Sequence, residues 1–275
     1  MKNLLLRTLT GLVYVAVIIA GIIGSSYSFL ALFSAVTVLC LWEFYNLINT
    51  QRQTKINLWY NCLGGLLLFI STYLYITGAT PSTIFLSYLI YVVIVFVLEL
   101  YRKQQDPITH SAYIFLGQCY IALPLALLNI LAFSVGEGGK YYWTLILALF
   151  VFIWVNDTGA YLVGSKFGKH RLFERISPKK SWEGFWGGLF LTAISSLVFA
   201  RFAPEIPYYH WAGLAIAVAT FGTWGDLMES LIKRTLGVKD SGNILPGHGG
   251  FLDRFDSLLL AVYAMLFYVV LFIRN

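Results

Sequence analysis

Residues 230–256 read SLIKRTLGVKDSGNILPGHGGFLDRFD, in which Lys233, Arg234, Lys239, Asp240, His248, Asp253, Arg254 and Asp256 alternate with glycines and a proline. A plain connector between helices has no need of so dense a mixture of cations, carboxylates and flexible backbone. Binding of a phosphate-bearing ligand does need it. Just upstream, Asp226, Glu229 and Ser230 stand at i, i+3 and i+4 and share one helix face. Two carboxylates so placed repel unless a cation or base lies between them. Lys233, four residues after Glu229, and Arg234 offer a purely structural ion-pair ladder as the alternative, but Asp240, Asp253 and Asp256 add more acid than such a ladder uses. This set of hard oxygen donors suits Mg²⁺, which binds through one or two carboxylates plus substrate phosphates and water. The glycines of GNILPGHGG would let backbone amides approach a polyphosphate. The pattern is neither a phosphate-binding GxxxxGK[ST] loop nor a GxGxxG dinucleotide fingerprint.

Two other stretches carry candidate chemistry. The tetrad Asn156-Asp157-Thr158-Gly159 falls within an otherwise apolar run, where a carboxylate needs a cation, water or a hydrogen-bonding partner. Its structural alternative is an Asn/Asp pair that packs helices together. The loop 164–188, GSKFGKHRLFERISPKKSWEGFWGG, is basic enough to touch anionic headgroups. Within it Ser181, with Glu183 close behind, suits a helix start whose amides hold phosphate oxygens while Lys179 and Lys180 supply charge. Glu43 and Glu99 read as shallow interfacial acids, Glu99 pairing with Arg102 at i,i+3. His110 and His210 read as solvated, and His170 as a surface residue. On residues alone the inference stops at metal-assisted phosphate chemistry at the cytoplasmic face.

The elements that position these groups follow from composition. Of 275 residues, 59% are hydrophobic and 12% charged, which excludes a large soluble domain. Cys40, Cys62 and Cys119 sit in apolar runs without zinc or disulfide spacing. Apolar segments of membrane-crossing length predict an all-α, polytopic fold of about nine transmembrane helices, near residues 5–24, 27–48, 58–77, 82–101, 110–133, 142–164, 184–203, 208–232 and 256–273. With the N-terminus cytoplasmic, sixteen of the nineteen Lys and Arg fall on the inner side, leaving Lys140, Arg201 and Arg274 outside. The first apolar run is long and the next follows at once, so it reads as an uncleaved helix. Pro124 should kink or break the fifth span. Gly64-Gly65 and Gly187-Gly188 suit close helix packing. The chain divides into N-terminal scaffold spans (1–140) and a C-terminal catalytic region (141–275).

Ser230, Ile232, Lys233, Arg234, Lys239, Asp240, Gly242, Leu245, Pro246, His248, Gly249, Gly250, Phe251, Asp253, Arg254, Phe255 and Asp256 together resemble the signature of the phosphatidate cytidylyltransferases, or CDP-diacylglycerol synthases. Residues 156–161 and 177–184 are similar to further motifs of that family, so the resemblance covers roughly 150–260. It implies transfer of CMP from CTP to phosphatidate, giving CDP-diacylglycerol and pyrophosphate in phospholipid synthesis. The lipid phosphate would attack the α-phosphorus without a covalent enzyme intermediate, so catalysis reduces to positioning and charge neutralisation. On that basis Asp226 and Asp253 would hold Mg²⁺, with Asp157, Asp256 and Glu229 as further ligands or support. Lys233, Lys239 and Arg254 would hold phosphates, and Arg234, Gly249 and Gly250 would lie against substrate. Lys179, Lys180 and Ser181 would contact nucleotide or lipid phosphate, and His248 a phosphate or carboxylate. The resemblance implies a monovalent cation such as K⁺ beside Mg²⁺. The expected partners are CTP, phosphatidate and membrane lipids, with no nucleic acid and with a homodimer left open. Compact loops and the lack of a long N-terminal extension favour a bacterial inner membrane, the site facing the cytoplasm. Two rivals are a CTP-dependent lipid-alcohol kinase, which would need a base for the alcohol, and a transporter, which would place polar groups through the midplane and on both sides.

Overall fold

The computed structural model describes residues 2–102, 106–242 and 249–274. The protein is all-α apart from one short hairpin. In order come α1 (Lys2–Gly24), α2 (Ser26–Arg52), α3 (Leu58–Ile76), α4 (Leu86–Tyr101, entered through the 3₁₀ turn Ser82–Phe85), α5 (Pro107–Gly117) and α6 (Leu123–Ala132). After these follow α7 (Trp143–Phe167), strands β1 (Arg171–Phe173) and β2 (Ser177–Ser181), then α8 (Trp182–Phe202), α9 (Tyr208–Thr235) and α10 (Asp256–Phe272). Among the described residues six helical rods are long and apolar enough to cross a bilayer: α2, α3, Ser82–Tyr101, Pro107–Ala132, α7 and α8. Thr8–Gly24 and α10 are shorter apolar helices. The protein is an integral membrane protein.

Local sequence sets the boundaries. Ser25 and Ser28 form a reciprocal capping box that starts α2 one residue after α1 ends. Asn57, Asp106 and Ser181 cap α3, α5 and α8 with side-chain oxygens that accept from the backbone three residues on. Pro124 has no N–H to give and its ring crowds the preceding turn, and the chain answers with a π-helical turn at Gln118–Ala122 that joins α5 to α6. The expected break is therefore a bulge in one continuous rod.

The C-terminal helices pack most closely, α7 against α8 and α9 against α10, with α8 against α9. Gly188 rests on the backbone and side chain of Asn156, where any Cβ would collide, so α7 and α8 approach at backbone distance. On the other side α2, α3 and α6 enclose Phe29, Phe33, Leu41, Phe69 and Leu125, all fully buried. A hydrogen-bonded set threads this half. Gln118 donates to the Tyr45 hydroxyl and to the Asn61 carbonyl, and Tyr91 donates to Asn61 Oδ1 at 2.8 Å.

Four expectations about isolated polar groups are corrected. His110 is 2% exposed, not solvated, because α5 folds back along α4 and sets its Nδ1 2.9 Å from Glu99 Oε2. Arg102 reaches the other imidazole nitrogen at 3.3 Å, so the histidine stands between the expected i,i+3 pair. His170 is at the surface as expected and bonds Glu183 at 2.6 Å there, whereas His210 is half-buried against the Tyr268 hydroxyl. Glu43 is no interfacial acid: it is 4% exposed inside α2.

Candidate active site

The first wall of the site is the α7–α8 pair and the hairpin between them. The β1–β2 hairpin pairs antiparallel and returns the chain so that the Trp182 amide donates to the His170 carbonyl. Glu183, in the first turn of α8, accepts from the Lys169 and His170 amides at 3.1 and 3.2 Å. Ser181 is buried and its hydroxyl caps α8 through the Gly184 amide at 3.1 Å. The helix start expected at Ser181 is thus present, although the serine oxygen is spent on the cap. Lys180, held by β2, places its ammonium 2.6 Å from Asp226 Oδ2 on α9. A cavity of about 540 Å³ opens here, lined by Asp157, Arg171, Lys179, Lys180, Ser181 and Asp226 among others. Its cations and capped helix start suit an anionic ligand.

The tetrad on α7 divides its labour by helix face. Asn156 is buried and donates to Thr223 on α9 at 3.2 Å, so it packs helices. Its neighbour Asp157 lines both this cavity and a second one. That second cavity, of about 610 Å³, runs along α1 past Gly11, Leu12, Tyr14 and Val15 and along Ile153 and Trp154 of α7, ending at Asp157, Asp253 and Asp256. The helix α7 itself continues unbroken through the tetrad.

The end of α9 and the 3₁₀ turn Leu252–Arg254 form the second wall. Lys233 bridges Glu229 Oε2 at 2.6 Å and Asp253 Oδ1 at 2.5 Å, so the ladder suspected within α9 extends to the loop beyond it. Asp253 Oδ2 accepts from the Gly250 amide at 2.8 Å and the Ser241 amide at 3.2 Å. Burial opposes the charge on Asp253, but the Lys233 ammonium and the Gly250 amide outweigh it and hold the carboxyl below the usual aspartate range. Asp226 also accepts from the Ser230 hydroxyl at 3.3 Å. Asp256 opens α10 and accepts from the Ser257 amide at 2.6 Å.

Of the residues singled out in the sequence, Asp157, Asp226, Asp253, Asp256, Lys179, Lys180, Ser181 and Arg254 line the two cavities. Glu229 and Lys233 lie behind them in the ion-pair chain. Lys239 and Arg234 are exposed, with Arg234 bonded to the Val238 carbonyl. Gly249 adopts φ 79°, a left-handed conformation that favours glycine, and Gly250 is buried against Glu43 and Ser241. His248 lies outside the described residues. Among the described residues, no three His, Cys, Asp or Glu side chains converge to hold a metal ion by themselves.

One contributor was marked in the sequence but read as a shallow interfacial acid. Glu43 of α2 reaches the glycine-rich loop and accepts from the Phe251 amide at 2.7 Å, the Leu252 amide at 3.4 Å and the Ser241 hydroxyl. A carboxyl group towards the end of an apolar helix was the available signal, since such a group is costly without a dedicated partner.

The chain matches the model of the cytidylyltransferase family over residues 5–272. It is 46% identical over 134 residues to the phosphatidate cytidylyltransferase of Bacillus subtilis (strain 168), covering 48% of this chain and 50% of that protein. Against the phosphatidate cytidylyltransferase of Staphylococcus aureus (strain COL) it is 48% identical over 127 residues, 46% of this chain and 47% of the relative. The Staphylococcus epidermidis (strain ATCC 12228 / FDA PCI 1200) protein of the same name is 46% identical over 128 residues, with 46% and 47% covered. The chain spans about half the length of these relatives in each comparison. With the family model matched across nearly all of its residues, the chain belongs to the cytidylyltransferase family.

Proposed function

We propose that the protein transfers the cytidylyl group of CTP to phosphatidate, forming CDP-diacylglycerol and releasing pyrophosphate. The observation that carries this reading is the meeting of two unlike cavities at Asp157, one lined by Lys179, Lys180 and Arg171 and the other by the apolar face of α1. A water-soluble polyanion suits the first and a lipid suits the second. The relatives named phosphatidate cytidylyltransferase support the choice of substrates.

In this reading Lys179, Lys180 and Arg171 bind the triphosphate, and the capped start of α8 adds its N-terminal field. The acceptor's acyl region lies along α1, bringing its phosphate to the acidic end of that cleft. A phosphate oxygen of phosphatidate forms the new bond to the α-phosphorus, and the bond from the α-phosphorus to the bridging oxygen breaks as pyrophosphate takes the electron pair. A phosphate monoester is already ionised near neutral pH, so no side chain need take a proton from it.

Asp226, Asp157 and Asp256, with Asp253 and Glu229 adjoining, would hold Mg²⁺. The donor set fits, being all carboxylate oxygen, and the Lys180 ammonium already occupies the face of Asp226 that a cation would take. Their failure to form a three-ligand cage is compatible with an ion completed by substrate phosphates and water. Bound there, Mg²⁺ would offset the negative charge that builds on the transferring phosphate and the departing pyrophosphate. The same oxygen set would accept a monovalent cation such as K⁺ beside it. Nine crossings with a cytoplasmic N-terminus, in a bacterial inner membrane, would put the basic cavity where cytosolic CTP arrives.

The test is product analysis of purified, detergent-solubilised protein given phosphatidate, CTP labelled at the α-phosphate, and Mg²⁺. Labelled CDP-diacylglycerol and equimolar pyrophosphate are expected. Formation of CDP and a phosphorylated lipid alcohol from added alcohols would replace the transferase with a kinase.

A further inference from the structure

The glycine-rich loop is held from both ends by one side chain of the N-terminal half. Glu43 accepts from the Ser241 hydroxyl at one end and from the Phe251 and Leu252 amides at the other. Ser241 in turn gives its amide to Asp253, whose other oxygen is on Lys233. A connected chain therefore runs from Glu43 through Ser241 and Asp253 to Lys233 and Glu229. The fit around the carboxyl group is close: a Cβ at Gly250 would overlap Glu43 Oε1, and one at Gly242 would stand 2.8 Å from its Cδ. Those two glycines are required by the space that Glu43 occupies, in addition to any role toward phosphate.

We propose that Glu43 is a positioning residue for the transfer, fixing the 249–253 backbone so that Asp253 and the adjoining Arg254 face the site. The inference rests on the cytidylyl-transfer reading above. A carboxyl group buried in α2 with three donors converging on it offers acceptors only, which is what a strap of N–H and O–H groups requires. Burial of such a group is otherwise expensive, and no contact within α2 itself compensates for it among the described residues. Glutamine at the same place keeps the volume but turns one acceptor into an NH₂ that faces a donor.

The experiment compares wild-type protein, Glu43→Gln and Ser241→Ala in detergent, reading kcat, KM for CTP, thermal melting and amide hydrogen exchange. For Glu43→Gln, kcat should fall about tenfold to a hundredfold, the usual cost of disturbing a group that orients a site residue. KM for CTP should stay unchanged, because Lys179 and Lys180 lie on the opposite wall. Exchange should quicken at residues 250–252 and not in the 171–181 hairpin. Ser241→Ala, which removes one donor and leaves both amides in place, should show the same pattern with a smaller loss. It also carries the test if Glu43→Gln does not survive solubilisation. Unchanged kcat despite quickened loop exchange would overturn the proposal, as would exchange that rises equally throughout the chain. A wild-type protein that makes no CDP-diacylglycerol overturns the parent reading, and the exchange measurement then still decides whether Glu43 clamps the loop.

Discussion

The two cavities that meet at Asp157 differ in what built them. The basic one is made by a local device: a hairpin folded between α7 and α8, stapled by Glu183 to the Lys169 and His170 amides, places Lys180 opposite Asp226. The apolar one is made by distant parts of the chain, since α1 packs against α7 near the end of the loop that precedes α10. The hydroxyl of Tyr14 on α1 bonds the Arg254 carbonyl at 3.3 Å, so even the apolar wall is tied to the charged loop. A reaction between a soluble polyanion and a membrane lipid needs two such surfaces with one shared edge. Asp157 stands at that edge and lines both cavities, with the Lys180–Asp226 pair beside it on the basic side.

Asp226→Asn is therefore expected to have the largest effect. It keeps the volume of the side chain and removes the charge that faces Lys180, so kcat should drop by about 10²–10³, the scale of losing one preorganised electrostatic contact. Melting should stay near wild type, because Asp226 is partly exposed to the cavity. Retained turnover in a well-folded Asp226→Asn would remove the Lys180–Asp226 pair from the mechanism. Next in size, Lys180→Ala should lower kcat/KM for CTP about tenfold to a hundredfold, in line with loss of one charge-assisted bond, while leaving KM for phosphatidate nearly unchanged. An equal loss for both substrates would mean that Lys180 serves only to hold Asp226.

The apolar wall answers to a different change. Gly11→Leu puts a side chain into the cleft beside α1 and should raise KM for phosphatidate about tenfold, comparable to misfitting one or two methylene groups in an apolar site. KM for CTP should not move. A rise for CTP alone would reverse the assignment of the two cavities.

These walls were unequally legible in the sequence. Hydrophobic length located the rods, since α3 at Leu58–Ile76 and α8 at Trp182–Phe202 fall where an apolar segment near 20 residues must. The Ser181 cap was readable because its partner amide is three residues away. Asp157 stood out as an acid in an apolar run. Glu43 did also, yet its partners lie some 200 positions further along, and no local spacing reveals them. His110 fails for the same reason on a smaller scale: its partner Glu99 is on the preceding helix, eleven residues back. The contribution of α1 to the apolar cleft depends on tertiary packing and leaves no local pattern at all.

The smallest expected effect concerns the turn that carries Asp253. Lys233 and the Gly250 amide hold Asp253 below the ordinary aspartate range in spite of its burial. A carboxyl whose pKa is lower in the folded than in the unfolded protein adds stability at all pH values above its unfolded pKa. That contribution is lost as pH falls through the folded value. The difference in melting temperature between wild type and Asp253→Asn should thus be constant around neutral pH and narrow below about pH 4. Melts in detergent from pH 7 to pH 3 read it directly. A difference that stays constant or widens in acid would mean that the Lys233 pair does not stabilise the charged form of Asp253. The loop would then be held chiefly by Glu43, whose three donors in the loop do not include Lys233.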